Sequence, residues 1–322
     1  MTELETLPEV EAGMGPATRR VVEAVEAAYP AHAKYLRRSF AARSPGMVAT
    51  AERVADLILR LVAGTGRSLE SYAQDYRYFV EEIVFPEELF FRREGRYRLS
   101  SFAEAERDVY ANRAMMARYM DGLLVSDCIW LNHVNAMTHF ADTHLAGLPA
   151  GGAHLEIGPG HGLLLRLAIE SGRFGSIDAW DISETSIAHT REVLGLLGHA
   201  DRVRLTRCNF YDAEMRAAHA GRFTSIAFSE VLEHLEEPGL AIEVIRGLLA
   251  PGGLVWINVP ANAPAPDHLY LVRAQEEVEA LVAAAGLELV ETRAFPAAGE
   301  SLERALRLEL PVTYILVARC PR

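Results

Sequence analysis

Apolar residues recur at helical spacing through the first half of the chain and in short continuous runs through the second half. Val54, Leu57 and Leu61, for example, fall three or four residues apart, which places them on one face of an α-helix. Residues 1–15 are acidic, contain glycines and are expected to be frayed. The pattern predicts helices over 16–29, 31–43, 47–63, 69–84, part of 85–91, 102–124 and 126–145. Residues 1–147 are therefore predicted to form an all-helical region.

Short apolar strands alternate with amphipathic helices from residue 153 onward. The helix over 184–197 follows the capping residue Ser183, and the helix over 274–285 ends at Gly286. Strands are predicted over 153–157, 176–180, 203–207, 224–228, 254–259, 287–292 and 311–318. Strand–helix alternation at this spacing favours a parallel sheet with helices on both faces. We therefore predict an α/β domain over residues 148–322, built on a seven-stranded, mostly parallel sheet.

Composition narrows the class of protein. A chain of 322 residues, half of them hydrophobic, suggests about two domains with a large core. The net charge of −12 disfavours nucleic acid and anionic membranes as partners. Cys128, Cys208 and Cys320 show no C-x-x-C spacing, which favours a reducing compartment. Without a signal peptide or an apolar run of about eighteen residues, a soluble cytoplasmic protein is expected.

One glycine-rich turn carries most of the chemical information. The segment 154–165 reads as an apolar strand, a turn with glycines at 158, 160 and 162, and an amphipathic helix. Glycine permits positive φ and lets the backbone approach a ligand closely. The helix that follows directs its free N–H groups toward the turn. Such a unit builds a nucleotide-type site at the carboxyl edge of a parallel sheet.

The spacing Glu156-x-Gly158-x-Gly160-x-Gly162 resembles motif I of the class I S-adenosylmethionine (SAM)-dependent methyltransferases. It differs from the G-x-G-x-x-G turn of dinucleotide-binding domains. The resemblance extends over roughly residues 150–319, about half of the chain. It implies a Rossmann-like fold whose last two strands form an antiparallel pair, and an enzyme whose cofactor is SAM.

The resemblance also assigns cofactor contacts to successive strand ends. Glu156 is expected to hold the amino group of SAM above the glycine turn. Asp181, at the end of the second strand, suits the ribose because a carboxylate accepts hydrogen bonds from both hydroxyls. Asn209 and Phe210 are expected to meet the adenine. The predicted cofactor-binding residues are Glu156, Gly158, Gly160, Gly162, Asp181, Asn209, Phe210 and Ser229.

A second chemical motif, Glu230-x-x-Glu233-His234, directly follows the fourth strand. Two carboxylates and an imidazole suit a divalent metal: Mg²⁺ among oxygens, Mn²⁺ or Fe²⁺ if a second histidine joins. His268 follows the fifth strand, whose end lies beside that of the fourth in a parallel sheet. The spacing resembles that of metal-dependent small-RNA 3′-end 2′-O-methyltransferases and of quinone-ring O-methyltransferases. That resemblance implies that Glu230, Glu233, His234 and His268 bind the metal.

Other interpretations of this motif stay open. Many class I methyltransferases have E-x-x-x-H near this position without a metal, so Glu230 would touch the cofactor instead. His234 would then be a general base or a structural residue. The candidate catalytic residues are therefore His234, Glu230 and Glu233, whichever interpretation holds. His268 is in addition a candidate for contact with the acceptor.

The last two predicted helices directly precede the first strand, so the chain must bring them close to the sheet. Their aromatic and methionine side chains are the ordinary content of a hydrophobic core. The alternative is that these helices close over the cofactor and shape the acceptor pocket, with Tyr119, His133 and His139 as candidate lining residues. In relatives with such helical regions, the helices form a substrate lid or a dimer interface, so a homodimer is also open.

These features together predict transfer of a methyl group from SAM to a small molecule, either a metabolite or a natural-product intermediate. His234 or a metal-bound oxyanion would assist deprotonation. An RNA terminus or a protein side chain is the alternative acceptor, although no basic stripe with interleaved aromatics occurs. Two other classes remain: an NAD-type oxidoreductase, which the position of Gly162 disfavours, and a non-catalytic SAM-binding regulator.

Overall fold

The helical region comes first in the fold. A computed structural model describes residues 14–322, so the segment predicted to be frayed lies outside the described residues except for Met14 and Gly15. Proline starts the first and third helices, and Ser44 caps the third by accepting a hydrogen bond from the N–H of Met47. The helices are α1 Pro16–Ala28, α2 Ala33–Ala41, α3 Pro45–Thr65, α4 Leu69–Tyr78, α5 Phe85–Glu94, α6 Phe102–Ala105, α7 Arg113–Ile129 and α8 Leu131–His139.

The two helices that precede the sheet differ from the prediction. The predicted helix 102–124 is interrupted before Asn112, which caps α7 by accepting a hydrogen bond from the N–H of Met115 (3.1 Å). The predicted helix 126–145 is interrupted at Trp130, whose backbone is extended (φ −76°, ψ 130°). The indole of Trp130 donates to the hydroxyl of Tyr76 (2.9 Å) and packs on Phe79. These tertiary contacts explain why apolar periodicity, which runs through the break, did not reveal it.

The sheet has seven strands in the order β3-β2-β1-β4-β5-β7-β6. The strands are β1 Gly152–Ile157, β2 Phe174–Asp181, β3 Arg204–Arg207, β4 Phe223–Ser229, β5 Leu249–Ala261, β6 Glu288–Pro296 and β7 Val312–Arg319. β7 runs antiparallel to both β5 and β6, and the other pairs are parallel. The predicted Rossmann-like, mostly parallel sheet is confirmed. Its strand order reverses between β1 and β4, where open α/β sheets bind ligands.

Further helices connect the strands. They are α9 Leu163–Glu170, α10 Glu184–Leu196, α11 Ala213–His219, α12 Pro238–Leu248, α13 Gln275–Ala284 and α14 Leu302–Arg307. The sequence pattern missed α11 because this short helix buries none of its residues and therefore lacks apolar periodicity.

The two faces of the sheet are covered by different parts of the chain. In β5, Val255 and Ile257 pack in the core that includes α12 and α13, whereas Trp256 points to the opposite face and packs with α8. Ile315 and Val317 of β7 join that second core, which is continuous with the interior of the helical region. The change from helices to strands near residue 148 therefore does not separate two hydrophobic cores.

Two further observations concern membrane-spanning helices and the cysteine side chains. Within residues 14–322, no helix is both long and apolar enough to cross a membrane. The three cysteines, all in the described part of the chain, are free thiols.

Candidate active site

A cavity of about 2000 Å³ lies where the carboxyl ends of the strands face α7 and α8. Ligand pockets usually have about 300–1,000 Å³, so this cavity has room for a cofactor and an acceptor together. Among the predicted residues, it is lined by Glu156, Gly158, Gly160, Asp181, Asn209, Phe210, Ser229, Glu230, Glu233, His234, His268, Tyr119 and His133. Gly162 lies behind the turn at the start of α9, and His139 lies elsewhere.

The glycine turn keeps its backbone open to the cavity. Gly158, Gly160 and Gly162 all have positive φ values of 72°, 50° and 70°. A Cβ on Gly158 would lie 2.7 Å from Cγ2 of Val231. A Cβ on Gly160 would meet no atom of the described chain within 4 Å, so that position borders open space. The turn can therefore approach a ligand with backbone alone.

Glu156 ends β1 with an unusual buried carboxylate. The residue is 3 % exposed, and its Oε2 has no hydrogen-bond partner in residues 14–322. Burial raises the pKa of this carboxyl well above its usual range. A buried acceptor without a partner is costly unless a bound group satisfies it. The ammonium group of SAM is such a group, so this residue fits the expected cofactor.

Asp181 is held in place at the end of β2 by the start of α10. Its Oδ1 accepts a hydrogen bond from the N–H of Ser183 (2.8 Å), and its Oδ2 accepts one from the hydroxyl of Ser186 (2.6 Å). Each carboxylate oxygen keeps a second acceptor site, so the residue can still bind a diol. Beyond β3, Asn209 accepts from the N–H of Tyr211 (3.0 Å), while the ring of Phe210 stacks on that of Tyr211.

The turn after β4 is strained. Glu230 has φ +52°, a left-handed conformation that costs a non-glycine residue roughly 1–2 kcal/mol. Asn258 of β5 holds the turn: its carbonyl accepts from the N–H of Glu230 (2.9 Å), and its amide donates to the hydroxyl of Ser229 (2.9 Å). Such strain concentrates at functional sites, and here it brings Glu230 to the cavity.

Glu233, His234 and His268 come together where β4 and β5 end side by side. The Oε1 of Glu233 lies 3.8 Å from Nε2 of His234 and 4.0 Å from Nε2 of His268. The Nδ1 atom of His234 donates to the backbone carbonyl of Asp267 (3.1 Å), and the Nδ1 atom of His268 donates to that of Ala263 (2.8 Å). Because a carbonyl only accepts, both rings carry their proton on Nδ1, and both Nε2 lone pairs are free.

This group has the chemistry of a metal site. Glu233 is fully buried, and neither of its oxygens has a hydrogen-bond partner among the residues described. Burial, with the charge of Glu230, raises the pKa of Glu233 well above its usual range. Burial lowers the pKa of His268 to about 4. One ligand atom from each of Glu233, His234 and His268 lies within 4.8 Å of the others, so the three could hold one ion.

Glu230 is the predicted ligand that stays outside this group. The structure brings together three of the four predicted metal-binding residues, and Glu230 precedes the 3₁₀ turn 232–234 that carries two of them. Its carboxylate instead acts electrostatically on His133 and Glu233. The two carboxylates still lie close enough to interact, because the charge of Glu230 contributes to the raised pKa of Glu233.

The predicted pocket residues of the helical region have different positions. Tyr119 lines the cavity, and its hydroxyl donates to Oδ1 of Asp267 (3.4 Å). His139 does not line the cavity: its Nδ1 accepts from the indole of Trp256 (3.0 Å), and its Nε2 lies 3.3 Å from Oε1 of Glu291. Helical spacing placed His139 on an inward face, but this face packs against the back of β5 rather than the site.

Tyr110, Asp127 and Asp267 also line the cavity, although none of them is among the predicted site residues. The hydroxyl of Tyr110 donates to Oδ2 of Asp267 (3.2 Å), so two tyrosines of the helical region hold one carboxylate of the sheet domain. Asp127 lies 2.9 Å from Nδ1 of His133. The Pro-Ala-Pro-Asp-His segment was a signal for Asp267, whereas Asp127 reads as an ordinary polar position of a helix.

Comparison with known families identifies the class. Residues 132–292, half of the chain, match a family model described as a methyltransferase domain. The chain belongs to the class I SAM-dependent methyltransferases. This membership removes the alternative of an NAD-type oxidoreductase, which the glycine spacing already disfavoured.

Individual relatives are distant. The chain is 32% identical to an uncharacterized protein of Synechococcus over 34% of this chain and 25% of that one. It is 28% identical to a ubiquinone biosynthesis O-methyltransferase of Thiobacillus denitrificans over 40% of this chain and 53% of that one. The match thus spans about half or less of these curated relatives. A solved SAM-dependent methyltransferase of Aquifex aeolicus aligns with TM-score 0.42 at 17% identity, over 54% of this chain and 85% of that one.

Proposed function

We propose that the protein methylates a hydroxyl group of a small molecule bound between the strand ends and helices α7 and α8. One observation carries the proposal: a single cavity holds both the glycine turn with Glu156 and the Glu233–His234–His268 group. Relatives named as ubiquinone biosynthesis O-methyltransferases support oxygen as the acceptor atom. The acceptor would be a metabolite or a natural-product intermediate.

The cofactor half of the cavity would bind SAM through a few residues. The carboxylate of Glu156 would pair with its ammonium group, and Asp181 would accept hydrogen bonds from its ribose hydroxyls. Asn209 and Phe210 would contact the adenine. Bound SAM supplies an electrophilic methyl carbon, so the protein's main contributions are alignment of the acceptor and exclusion of water.

Glu233, His234 and His268 would hold a divalent cation. Two imidazoles and one carboxylate favour Mn²⁺ or Fe²⁺ over Mg²⁺. Such an ion would bind the acceptor oxygen and lower the pKa of its hydroxyl. His234 offers only Nε2 to the cavity, because its Nδ1 is bonded to the carbonyl of Asp267. It can therefore serve as a metal ligand or as a general base, but not as both at once.

A macromolecular acceptor has less support. The arginine-rich segment near residue 95 is largely neutralised by neighbouring acids, in the pairs Arg92–Glu88, Arg93–Glu94 and Arg98–Glu87. This leaves little free positive charge there for a phosphate backbone. A non-catalytic regulator would need only the cofactor half, whereas the cavity extends well beyond it.

Ligand-dependent melting tests the cofactor and the metal separately. S-adenosylhomocysteine should raise the melting temperature, because it binds only the folded state, and Asp181→Ala should abolish the shift. Mn²⁺ should add a second shift that a chelator removes and that Glu233→Ala and His268→Ala lack. NAD serves as the negative control. No response of the wild type to Mn²⁺, or an equal response of Glu233→Ala and His268→Ala, would contradict the metal site without affecting the assignment of the cofactor site.

A further inference from the structure

We propose that Asp127 and His133 form the pair that deprotonates the acceptor, with His133 as general base and Asp127 as the residue that positions it. This rests on the proposed hydroxyl acceptor. The Nδ1 of His133 lies 2.9 Å from Oδ1 of Asp127, and the hydroxyl of Ser126 lies 3.4 Å from the same nitrogen. Both Asp127 and His133 line the cavity.

The break at Trp130 creates this pair. In a continuous α-helix, residues six apart lie about 9 Å apart along the axis and about 120° apart around it, so they cannot meet. Here Asp127 lies in the last turn of α7 and His133 in the first turn of α8, and the extended backbone of Trp130 turns one helix against the other. The ring of Trp130 also packs against that of His133, with 5.1 Å between centroids.

The partner of each Nδ1 atom separates this histidine from those of the metal group. The Nδ1 atoms of His234 and His268 donate to backbone carbonyls, and the nearest carboxylate oxygen of Asp267 lies farther from Nδ1 of His234, at 3.6 Å. The Nδ1 of His133 instead lies within hydrogen-bond distance of a carboxylate oxygen of Asp127, and this carboxylate stabilises the positive charge that a general base acquires. The surroundings of His133 therefore suit a general base, and those of His234 and His268 suit metal ligands.

The side chain of His133 is 14% exposed. Its polar contacts within residues 14–322 involve Nδ1 alone, which leaves Nε2 for the acceptor. The charged groups that face this ring are Asp127 on α7 and Glu230 in the turn after β4. Burial lowers the pKa of His133, but its hydrogen bond and charge interaction with Asp127, together with Glu230, outweigh burial and raise it.

The proton transfer balances without a further reactant. The O–H bond of the acceptor breaks, and its proton passes to Nε2 of His133. The oxygen lone pair forms the new O–CH₃ bond, and the electron pair of the broken C–S bond remains on sulfur. Asp127 stabilises the resulting imidazolium, which returns its proton to solvent after the product leaves.

The test uses three catechols as probes, because vicinal hydroxyls can chelate the proposed metal: 4-methylcatechol, catechol and 4-nitrocatechol. In His133→Gln, kcat for the first two should fall about 100- to 10,000-fold at pH 7. The loss should be less than about tenfold for 4-nitrocatechol, whose hydroxyl is already largely ionised near neutral pH. Affinity for S-adenosylhomocysteine and for Mn²⁺ should stay within about twofold.

A measurement that does not depend on catalysis reports directly on the pair of Asp127 and His133. In ¹⁵N NMR spectra of the protein with S-adenosylhomocysteine, the neutral ring of His133 should carry its proton on Nδ1. Asp127→Asn should lower its pKa and move the acidic limb of the pH–rate profile to the same extent. Asp142→Asn removes the same charge from an exposed residue outside the cavity, and it should change neither quantity.

Equal slowing of all three catechols by His133→Gln, or a pH profile unmoved by Asp127→Asn, would overturn the pair as the base. A wild-type protein that binds S-adenosylhomocysteine but methylates no catechol would instead refute the hydroxyl acceptor, and the proposed base would fall with it. The two failures are therefore distinguishable.

Discussion

The two halves of the cavity are built in different ways. The cofactor half is formed by consecutive strand ends between residues 156 and 210. It depends mainly on backbone conformation, namely three positive φ angles and the start of a helix. The acceptor half is assembled from α7, α8 and the loops after β4 and β5, and it depends mainly on a network of side chains. One half therefore depends on local conformation, and the other depends on tertiary packing.

The largest effect on ligand affinity is expected at Gly158, where the backbone cannot adjust to a larger side chain. Gly158→Val should weaken binding of S-adenosylhomocysteine by at least about 100-fold, because positive φ and the contact with Val231 would distort the turn. Isothermal calorimetry measures this loss. Gly172→Val is the matched control: its φ is +64°, no atom within residues 14–322 lies within 4 Å of its Cβ position, and it should keep normal affinity. Equal losses in both variants would mean that the turn is not a cofactor contact.

Two isosteric changes should separate the halves. Glu156→Gln should weaken S-adenosylhomocysteine about 10- to 100-fold and leave Mn²⁺ binding unchanged, because it removes one charged partner. Glu233→Gln should do the reverse, with a loss of Mn²⁺ affinity of at least about tenfold. Calorimetry with each ligand gives both numbers. If either variant lost both ligands, the two sites would be coupled rather than separate.

The same two variants should alter stability with pH in the ligand-free protein. Burial raises the pKa of Glu156 and Glu233, so the folded state holds their protons above pH 4.5, where the unfolded chain releases them. Wild-type stability from these groups is therefore lost as pH rises. The free energy of unfolding of each glutamine variant should therefore rise relative to that of the wild type, by up to about 1.4 kcal/mol for each pH unit above that pH. Urea denaturation from pH 5 to 8 measures the difference, and parallel curves would contradict it.

The smallest effect is expected at the contact between the helical region and Asp267. Tyr110→Phe and Tyr119→Phe each remove one hydrogen bond, worth about 0.5–1.5 kcal/mol. The KM for catechol should rise about two- to tenfold, while affinity for S-adenosylhomocysteine stays the same. Tyr78→Phe, on a tyrosine outside the cavity, is the control. A larger loss of cofactor than of acceptor would reverse the assignment of the two halves.

Sequence reasoning reached the features that depend on neighbours in the chain or on strand pairing. The glycine turn, Glu156 and Asp181 follow from local spacing. The meeting of Glu233, His234 and His268 follows from the rule that parallel strands end at one edge. The roles of these residues stay predictions, because no ligand contact tests them.

The rest depends on packing that periodicity does not encode. Trp130 fits a helical pattern, whereas its contacts with Tyr76 and Phe79 arise from tertiary packing. Periodicity therefore does not indicate that Asp127 meets His133, nor that the helix face with His139 packs on β5 instead of the cavity. A helical face can be identified as buried from its spacing, but the surface that buries it cannot.

The shared core also orders the events of synthesis. The helices leave the ribosome first, yet part of the apolar surface that they must cover belongs to Trp256, Ile315 and Val317. The last two of these lie in β7, which follows the helical region by more than half of the sheet domain. The helical region therefore cannot complete its packing before β7 has been made.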